Sequence, residues 1–128
     1  MKETLYITVP CYNEEAVLPE TSKRLKAKVN SLIENGMINE NSRIVFIDDG
    51  SKDKTWEIIS GLCIQDNLFS GIKLAHNRGH QNALLAGLMT AKEYADMVIS
   101  MDADLQDPPS ILPEMLTKWE DGYEDVYA

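Results

Sequence analysis

The feature that most constrains how this chain can fold is a short apolar run that ends in polar residues and recurs along the sequence. The runs are rich in β-branched and aromatic residues, as strands are, and cover residues 5–9, 43–47, 72–75 and 97–99. Stretches with the apolar spacing of helices separate them. Strands that alternate with helices in this way form parallel sheets. We therefore predict an α/β fold with a mostly parallel sheet and helices on both faces.

The helices are predicted from apolar residues spaced three and four positions apart. They run from residue 18 to a stop before Gly36, from residue 55 through Cys63, over residues 83–91 and over residues 111–119. Residues 125–128 have the character of a further strand. Small residues around Gly87 should let the third helix lie close to the sheet. The helix residues expected in the core include Leu18, Leu25, Val29, Leu32, Ile33, Trp56, Ile59, Leu62, Cys63, Leu84, Leu85, Leu88 and Met89.

The segment that says most about function is MDADLQDPP, at residues 101–109. Asp102, Asp104 and Gln106 stand at i, i+2 and i+4, so in an extended backbone their side chains point to one side. Two carboxylates and an amide oxygen suit a hard divalent cation such as Mg²⁺, which leaves other positions to water and substrate phosphates. The alternative is a solvated acidic loop that binds nothing.

Polar residues also follow the other predicted strands. They are PCYNEE after the first strand, DDGS after the second and HNRGHQ after the third. Because parallel sheets bind ligands beyond the carboxyl ends of their strands, we expect all these clusters to lie along one edge. His76 and His80 lack the spacing and the companions of zinc ligands.

Taken together, the motifs resemble those of family 2 glycosyltransferases with the GT-A fold. They are VPCYNEE at residues 9–15, DDGSKDKT at 48–55, NRGHQNA at 77–83 and DADLQDPP at 102–109. The last motif favours the branch that transfers sugars to polyprenyl phosphates, such as dolichyl-phosphate mannose synthase and undecaprenyl-phosphate glucosyltransferases. The resemblance implies a Rossmann-like nucleotide-diphospho-sugar transferase (GT-A) fold.

The resemblance also implies a reaction. It is the metal-dependent transfer of a sugar from a nucleotide-diphospho-sugar to a polyprenyl phosphate at the cytoplasmic face of the membrane. A UDP-sugar is favoured over a GDP-sugar as the donor. Mg²⁺ or Mn²⁺ is the implied cofactor. Members of the family are considerably longer, so residues 1–128 should form a truncated GT-A domain, its donor half, with the acceptor half and the catalytic base absent. No catalytic residue is assigned. The chain alone is expected to be inactive and cytoplasmic. Contact with the membrane is expected only through segments that this chain lacks. A homo-oligomer is a possible partner state that the motifs do not decide.

Binding roles follow from the same resemblance, residue by residue. Pro10, Tyr12 and Glu14 frame the base and ribose of the nucleotide, and an acid of the second motif accepts a hydrogen bond from the base. Asp48 and Asp49 are both candidates for the nucleotide site, and Asp49 is preferred for this role, because alternation sends one side chain outward and the other into the fold. Alternatively, Tyr12 is a packed turn residue, Glu14 only favours a helix N-terminus, and Asp48 is purely structural.

The remaining roles concern the phosphates and the metal. Asp104 is the first choice for a direct metal ligand and Gln106 the second. Asp102 would bind the ion directly, bind it through water or contact the ribose, with Ala103 beside it in the nucleotide site. Arg78 would pair with a phosphate or a motif carboxylate, or is a surface arginine.

Composition argues against some other classes of function. The chain has 12 Lys and Arg against 21 Asp and Glu, a formal net charge of −9. Such a charge opposes binding to nucleic acids, so we expect no nucleic-acid partner. Cys11 and Cys63 lack metal-ligand spacing and should stay thiols in a reducing cytoplasm.

Several rival functions share part of these motifs. A phosphatase of the haloacid dehalogenase class places its Asp-x-Asp after the first strand, whereas here the pair comes late and Leu105 follows it. A response-regulator receiver needs a Lys after its last strand, and the sequence offers none there. A non-catalytic sugar-nucleotide-binding module stays an alternative, as does a glycosyltransferase acting on a saccharide acceptor in cell-surface polysaccharide synthesis.

Overall fold

The computed structural model describes residues 3–105 and 112–113. Strands and helices alternate along the described chain. In chain order they are β1 (Leu5–Cys11), α1 (Leu18–Glu34), β2 (Arg43–Asp48), α2 (Thr55–Gln65), β3 (Phe69–Lys73), α3 (His80–Ala91) and β4 (Met97–Ser100).

The strands form one parallel sheet in the order β3-β2-β1-β4. In the centre of the sheet, Cys11 of β1 lies opposite Asp48 of β2, and Thr8 of β1 lies opposite Ser100 of β4. The chain moves outward from β1 to β3 and then crosses to the other side of β1 through α3. The strand order therefore reverses between β1 and β4. A reversal of this kind leaves a crevice at the carboxyl ends of the strands, where α/β proteins bind ligands.

The helices cover both faces of the sheet. The larger buried cluster contains Leu25 of α1, Ile59 of α2 and Phe46 of β2. The smaller cluster contains Ala83 of α3 and Ile47 of β2, the neighbour of Phe46. Because successive residues of a strand point to opposite faces, α1 and α2 pack on one side and α3 on the other. The predicted α/β fold, with a parallel sheet between two helical layers, is confirmed.

Gly87 brings α3 close to the sheet. A Cβ atom at this position would lie 2.8 Å from Cδ1 of Ile47 and 3.2 Å from the side chain of Thr8. Ala83, one turn earlier, is fully buried. The expectation that small residues let this helix approach the sheet is therefore confirmed.

The outer face of α3 departs from the prediction. Leu85, Leu88 and Met89 are 53%, 47% and 53% exposed, so their assignment to the core is wrong for the part of the chain that the structure describes. The helix buries only a narrow stripe that includes Gly87 and Ala91. Helical spacing identified an apolar helix but could not identify which side of it meets the sheet.

The third strand also differs from the prediction, since β3 covers Phe69–Lys73 rather than residues 72–75. Its register with β2 places Phe69 opposite Ile44 and Lys73 opposite Asp48. β3 is an edge strand with Ser70, Gly71 and Lys73 exposed. Because most residues of β3 are exposed, its sequence contains no continuous apolar run that would mark its first residue.

The last predicted helix and strand fall almost entirely outside the described residues. Within that helix only Leu112 and Pro113 are described, and Leu112 is fully buried in the larger core cluster. Of the helices that the structure describes, none combines the length and the apolar character needed to cross a bilayer.

Candidate functional site

A pocket opens at the carboxyl edge of the sheet, where the strand order reverses. Its volume is about 350 Å³. Residues from all the predicted polar clusters line it, which confirms that these clusters share one edge. The lining residues are Pro10, Cys11, Tyr12, Glu14, Asp49, Asn77, Gly79, His80, Ala83, Asp102, Ala103 and Asp104.

The acidic segment turns soon after β4 ends. The backbone N–H of Leu105 donates to the carbonyl of Asp102 at 3.0 Å, and Leu105 has a φ of 52°. The extended backbone on which the sequence argument relied is therefore wrong here. Asp102 and Asp104 are nevertheless both exposed in the wall of the pocket. Gln106, the third predicted metal ligand, lies outside the described residues.

Side-chain hydroxyls bond the acidic segment and the end of the strand before it. The Thr21 hydroxyl of α1 donates to the carbonyl of Ala103 at 2.5 Å, and both residues are buried. Three residues earlier, at the end of β4, the hydroxyls of Ser100 and of Thr8 in β1 are 2.7 Å apart and hydrogen-bonded. Ala103 stands between the two acids, so its anchoring fixes the backbone from which both carboxylates project.

Asp49 is a buried carboxylate in the wall of the pocket, 4% exposed. Its backbone N–H donates to the carbonyl of Cys11 at 2.8 Å. Its Oδ1 accepts the backbone N–H of Arg78 at 2.7 Å. The carboxylate is therefore held in place by the Arg78 N–H and faces a cavity from which a ligand N–H could approach.

Asp48 does not line the pocket. It is fully buried, and its Oδ1 accepts the backbone N–H of Ser51 at 3.0 Å. Its Oδ2 is buried without a hydrogen-bond partner among the described residues. The side chain thus stabilises the turn between β2 and α2, and of the two adjacent acids only Asp49 faces the pocket.

Gly50 allows the β2–α2 turn to pack against the loop before α3. It has a φ of +71°, and a Cβ atom there would meet the backbone nitrogen of Asn77 and lie 2.6 Å from the carbonyl carbon of His76. Only a residue without a side chain fits this approach. The contact brings the Arg78 N–H within reach of Asp49.

Acidic groups concentrate negative charge around Glu14. Burial raises the pKa of Glu14, and the nearby carboxylates of Asp104, Asp53 and Asp102 raise it further. Carboxylates that disfavour one another's ionisation are stabilised by a bound cation. The oxygen donors therefore fit a hard divalent ion. Among the described residues, no group of three Asp, Glu, His or Cys side chains is placed to hold a metal ion.

In the loop before α3, the residues that line the pocket are not the arginine that the sequence singled out. The Arg78 side chain is exposed and does not line the pocket, whereas Asn77, Gly79 and His80 do. Their position in the motif before α3 was the available signal, but it did not say which of them turn inward. Cys11 is also in the wall, and burial raises the pKa of its thiol, which keeps it protonated.

Comparison with known proteins identifies a family for nearly the whole chain. The family model described as "Glycosyl transferase family 2" matches residues 6–128. This match spans every residue that lines the pocket.

Curated relatives are similar over the same region. The uncharacterized glycosyltransferase YkoT of Bacillus subtilis is 52% identical over 97% of this chain and 37% of its own length. An undecaprenyl-phosphate 4-deoxy-4-formamido-L-arabinose transferase of Shewanella sediminis is 39% identical over 94% of this chain and 34% of its own length. The prophage bactoprenol glucosyl transferase homolog of Escherichia coli is 36% identical over 95% and 37%. The chain thus spans about a third of the length of these relatives.

Solved structures share the fold. The mannosyltransferase PcManGT of Pyrobaculum calidifontis, in complex with GDP-Man and Mn²⁺, has a TM-score of 0.68 at 23% identity, over 93% of this chain and 32% of that one. TarS of S. aureus has a TM-score of 0.58 at 24% identity, over 79% of this chain and 16% of that one. The expected GT-A fold is confirmed.

Proposed function

This chain belongs to glycosyl transferase family 2, and from that membership we propose that it binds a nucleotide-diphospho-sugar together with a divalent cation. We assign residues 1–128 to the donor-binding half of a glycosyltransferase domain. The sugar is transferred to a polyprenyl phosphate at the cytoplasmic face of the membrane. No residue of this chain is assigned as the general base.

One observation carries the proposal. Asp49, Asp102 and Asp104 come from two different strand ends, yet they line a single pocket where the strand order reverses. A nucleotide diphosphate presents N–H donors at its base and negative oxygens at its phosphates. A pocket that holds an acceptor carboxylate at one position and a carboxylate pair for a cation at another matches both ends of that ligand.

At the base end, Asp49 would accept a hydrogen bond from a ring N–H of the nucleotide base. The Arg78 N–H already bonds its Oδ1, which fixes the orientation of the carboxylate before ligand binds. Pro10 and Tyr12 stand in the wall of the same pocket and would frame the base and ribose. Uracil in preference to guanine stays a prediction.

At the phosphate end, Asp104 and Asp102 would hold the ion, with Glu14 nearby. A bound Mg²⁺ or Mn²⁺ supplies positive charge that stabilises the leaving nucleotide diphosphate. PcManGT, which shares the fold, was solved with GDP-Man and Mn²⁺, and this supports a divalent ion here without favouring Mn²⁺ over Mg²⁺. The chain's part would be to keep the two carboxylates in position, and the hydrogen bond from Thr21 to the carbonyl of Ala103, which lies between them, supports this role.

The polyprenyl phosphate acceptor is inferred from the relatives. Their names include an undecaprenyl-phosphate transferase and bactoprenol glucosyl transferases, at 36–39% identity. These names favour a polyprenyl phosphate over a saccharide acceptor. Contacts to the acceptor are not assigned to any described residue.

Calorimetry on the purified chain tests the proposal. UDP and GDP are each titrated with and without Mn²⁺, into the wild type and into the variants Asp104→Ala and Glu93→Ala. Glu93 is an exposed acid that does not line the pocket. We expect metal and nucleotide to strengthen each other's binding in the wild type and in Glu93→Ala, and Asp104→Ala to lose that coupling. Nucleotide affinity that is equal with and without metal would contradict the proposal.

A transfer assay completes the test. With a sugar nucleotide and polyprenyl phosphate, we expect the chain alone to bind the nucleotide without forming product. The proposed donor half does not hold the acceptor in line, and such positioning supplies about 7–11 kcal/mol of the barrier. Product that disappears in Asp104→Ala would instead place the acceptor site within these residues.

A further inference from the structure

The loop between β1 and α1, residues 12–17, is tied to the start of α2 by three side chains. The Ser51 hydroxyl accepts the backbone N–H of Asn13 at 2.8 Å. The Thr55 hydroxyl accepts the backbone N–H of Glu14 at 2.8 Å. We call Ser51, Asp53 and Thr55 the clasp.

The third member of the clasp, Asp53, binds the next residue of the loop. Its Oδ2 accepts the backbone N–H of Glu15 at 3.3 Å, and its Oδ1 accepts the N–H and the hydroxyl of Thr55. Burial opposes ionisation of this carboxyl, but the hydrogen bonds from Thr55 and Glu15 outweigh it and lower the pKa of Asp53. The anion is thus the form that the clasp stabilises. Three consecutive loop N–H groups are each satisfied by a different side chain of the clasp.

The loop also accepts a hydrogen bond from the turn between β2 and α2. The Asn13 side-chain oxygen accepts the backbone N–H of Lys52 at 2.8 Å. Asn13 has a φ of 52°, in the left-handed region that asparagine tolerates better than most residues. A backbone conformation of this kind persists where the surroundings hold it in place. Here the surroundings are the bonds to and from the β2–α2 turn.

The clasp itself stands outside the pocket. Ser51, Asp53 and Thr55 do not line the cavity, whereas Tyr12 and Glu14, in the loop that they hold, do. Thr55 is fully buried at the first residue of α2. A further hydrogen bond stabilises the same turn, because the carboxylate of Asp48 accepts the backbone N–H of Ser51.

We propose that Ser51, Asp53 and Thr55 are positioning residues for the donor site, acting through the backbone of residues 13–15 to hold Tyr12 and Glu14 in the pocket. The inference rests on the proposed function, since it concerns binding of a nucleotide diphosphate there. The short segment DDGSKDKT then has two separate tasks. Asp49 lines the pocket directly, and the residues after Gly50 hold the loop that carries Tyr12 and Glu14.

The test uses Thr55→Val, which keeps the shape of the side chain but removes both the acceptor for the Glu14 N–H and the hydroxyl that donates to Asp53. Thr55→Ser restores the hydroxyl, and Thr90→Val is the matched control, an exposed threonine on α3 outside the pocket. Ser51→Ala, which frees the N–H of Asn13, is the second variant in case Thr55→Val does not fold. Hydrogen exchange of the loop amides in ligand-free protein is measured alongside calorimetry with UDP or GDP and Mn²⁺ and alongside thermal unfolding.

In Thr55→Val we expect faster exchange at the Glu14 amide and nucleotide binding weaker by roughly two- to tenfold, the range for one hydrogen bond. Thr55→Ser should recover both properties, and Thr90→Val should change neither. Unchanged exchange at the freed amide, or unchanged nucleotide binding when that amide exchanges faster, would overturn the clasp. A lowered unfolding temperature with normal nucleotide affinity would show a purely structural role and would overturn it as well. If the wild type binds neither nucleotide diphosphate, the proposed function fails instead.

Discussion

The hydroxyl of Thr21 donates a hydrogen bond to the backbone carbonyl of Ala103 at 2.5 Å, although the two residues are 82 positions apart in the chain. The bond joins the buried side of α1 to the turn that carries Asp102 and Asp104. Thr21 is 3% exposed and Ala103 4% exposed, so no bulk water replaces this donor if it is removed. A helix on one face of the sheet thereby fixes the backbone of the proposed metal ligands.

Replacing this threonine should weaken both the fold and the metal site. We expect Thr21→Val to lower the free energy of unfolding by about 1–3 kcal/mol, because it leaves a buried carbonyl without a donor. Metal-dependent nucleotide binding should weaken as the acidic turn loosens. Urea denaturation and calorimetry with UDP and Mn²⁺ measure the two effects. Thr90→Val, on the exposed side of α3, is the control, and equal behaviour of the two variants would count against the role of Thr21.

The adjacent acids at the end of β2 should differ in their effect on binding. Asp49→Asn keeps an oxygen for the Arg78 N–H, yet removes the charge that would accept a hydrogen bond from the base. We expect nucleotide binding to weaken by about 1–3 kcal/mol, the range for a charge-assisted hydrogen bond. Asp48→Asn should weaken binding less, because Asp48 does not line the pocket. A larger loss of nucleotide affinity in Asp48→Asn than in Asp49→Asn would reverse this assignment.

The same substitution at two helical glycines should have opposite effects on stability. At Gly61 of α2 an added Cβ atom meets nothing within 4 Å, so Gly61→Ala should stabilise the protein by about 0.5–1 kcal/mol through helix propensity. At Gly87 the added atom would lie 2.8 Å from Cδ1 of Ile47 and 3.2 Å from Thr8, both fully buried, so overpacking of about 1–3 kcal/mol should outweigh the same gain in helix propensity. Chemical denaturation of both variants measures the difference. If Gly87→Ala also stabilises the protein, α3 does not sit against the sheet as described.

Acid should remove a contribution made by Asp66. Lys26, whose Nζ lies 2.6 Å from the carboxylate, lowers the pKa of Asp66 by hydrogen bonding, and the Leu68 N–H adds to the effect. The folded state therefore binds this proton less readily than the unfolded state. The contribution is fully present above the ordinary pKa of 3.8 and is lost as the pH falls through the lowered value.

Thermal unfolding between neutral pH and about pH 2, across the range of carboxyl pKa values, tests this linkage. The wild type should lose more stability on acidification than Asp66→Asn, which lacks the titrating group. Because the ion pair is partly exposed, the difference should be small and should shrink in high salt. Glu93→Gln, at an exposed acid, serves as the control. Parallel pH profiles for the wild type and Asp66→Asn would contradict the assignment.

Much of the site could be predicted because it is local in sequence. The short motifs at the ends of β1, β2 and β4 carry Tyr12, Glu14, Asp49, Asp102 and Asp104, and the rule that parallel strands bring their carboxyl ends to one edge placed them together. The residues that support the site could not be found this way. Thr21 is one of several small polar residues in a helix, and its partner Ala103 offers only a backbone carbonyl.

The sequence by itself determined the order of strands and helices, the parallel sheet and the presence of an acidic edge, because apolar periodicity and turn residues act over short stretches of chain. Only the tertiary structure decided which atoms meet. It showed that Asp102 and Asp104 share the pocket through a turn rather than an extended strand, and that the backbone N–H of Arg78 donates to Asp49. It also showed that Leu85 and Leu88, on the outer face of α3, are exposed to solvent. These outcomes depend on packing between residues far apart in the chain, which no local pattern encodes.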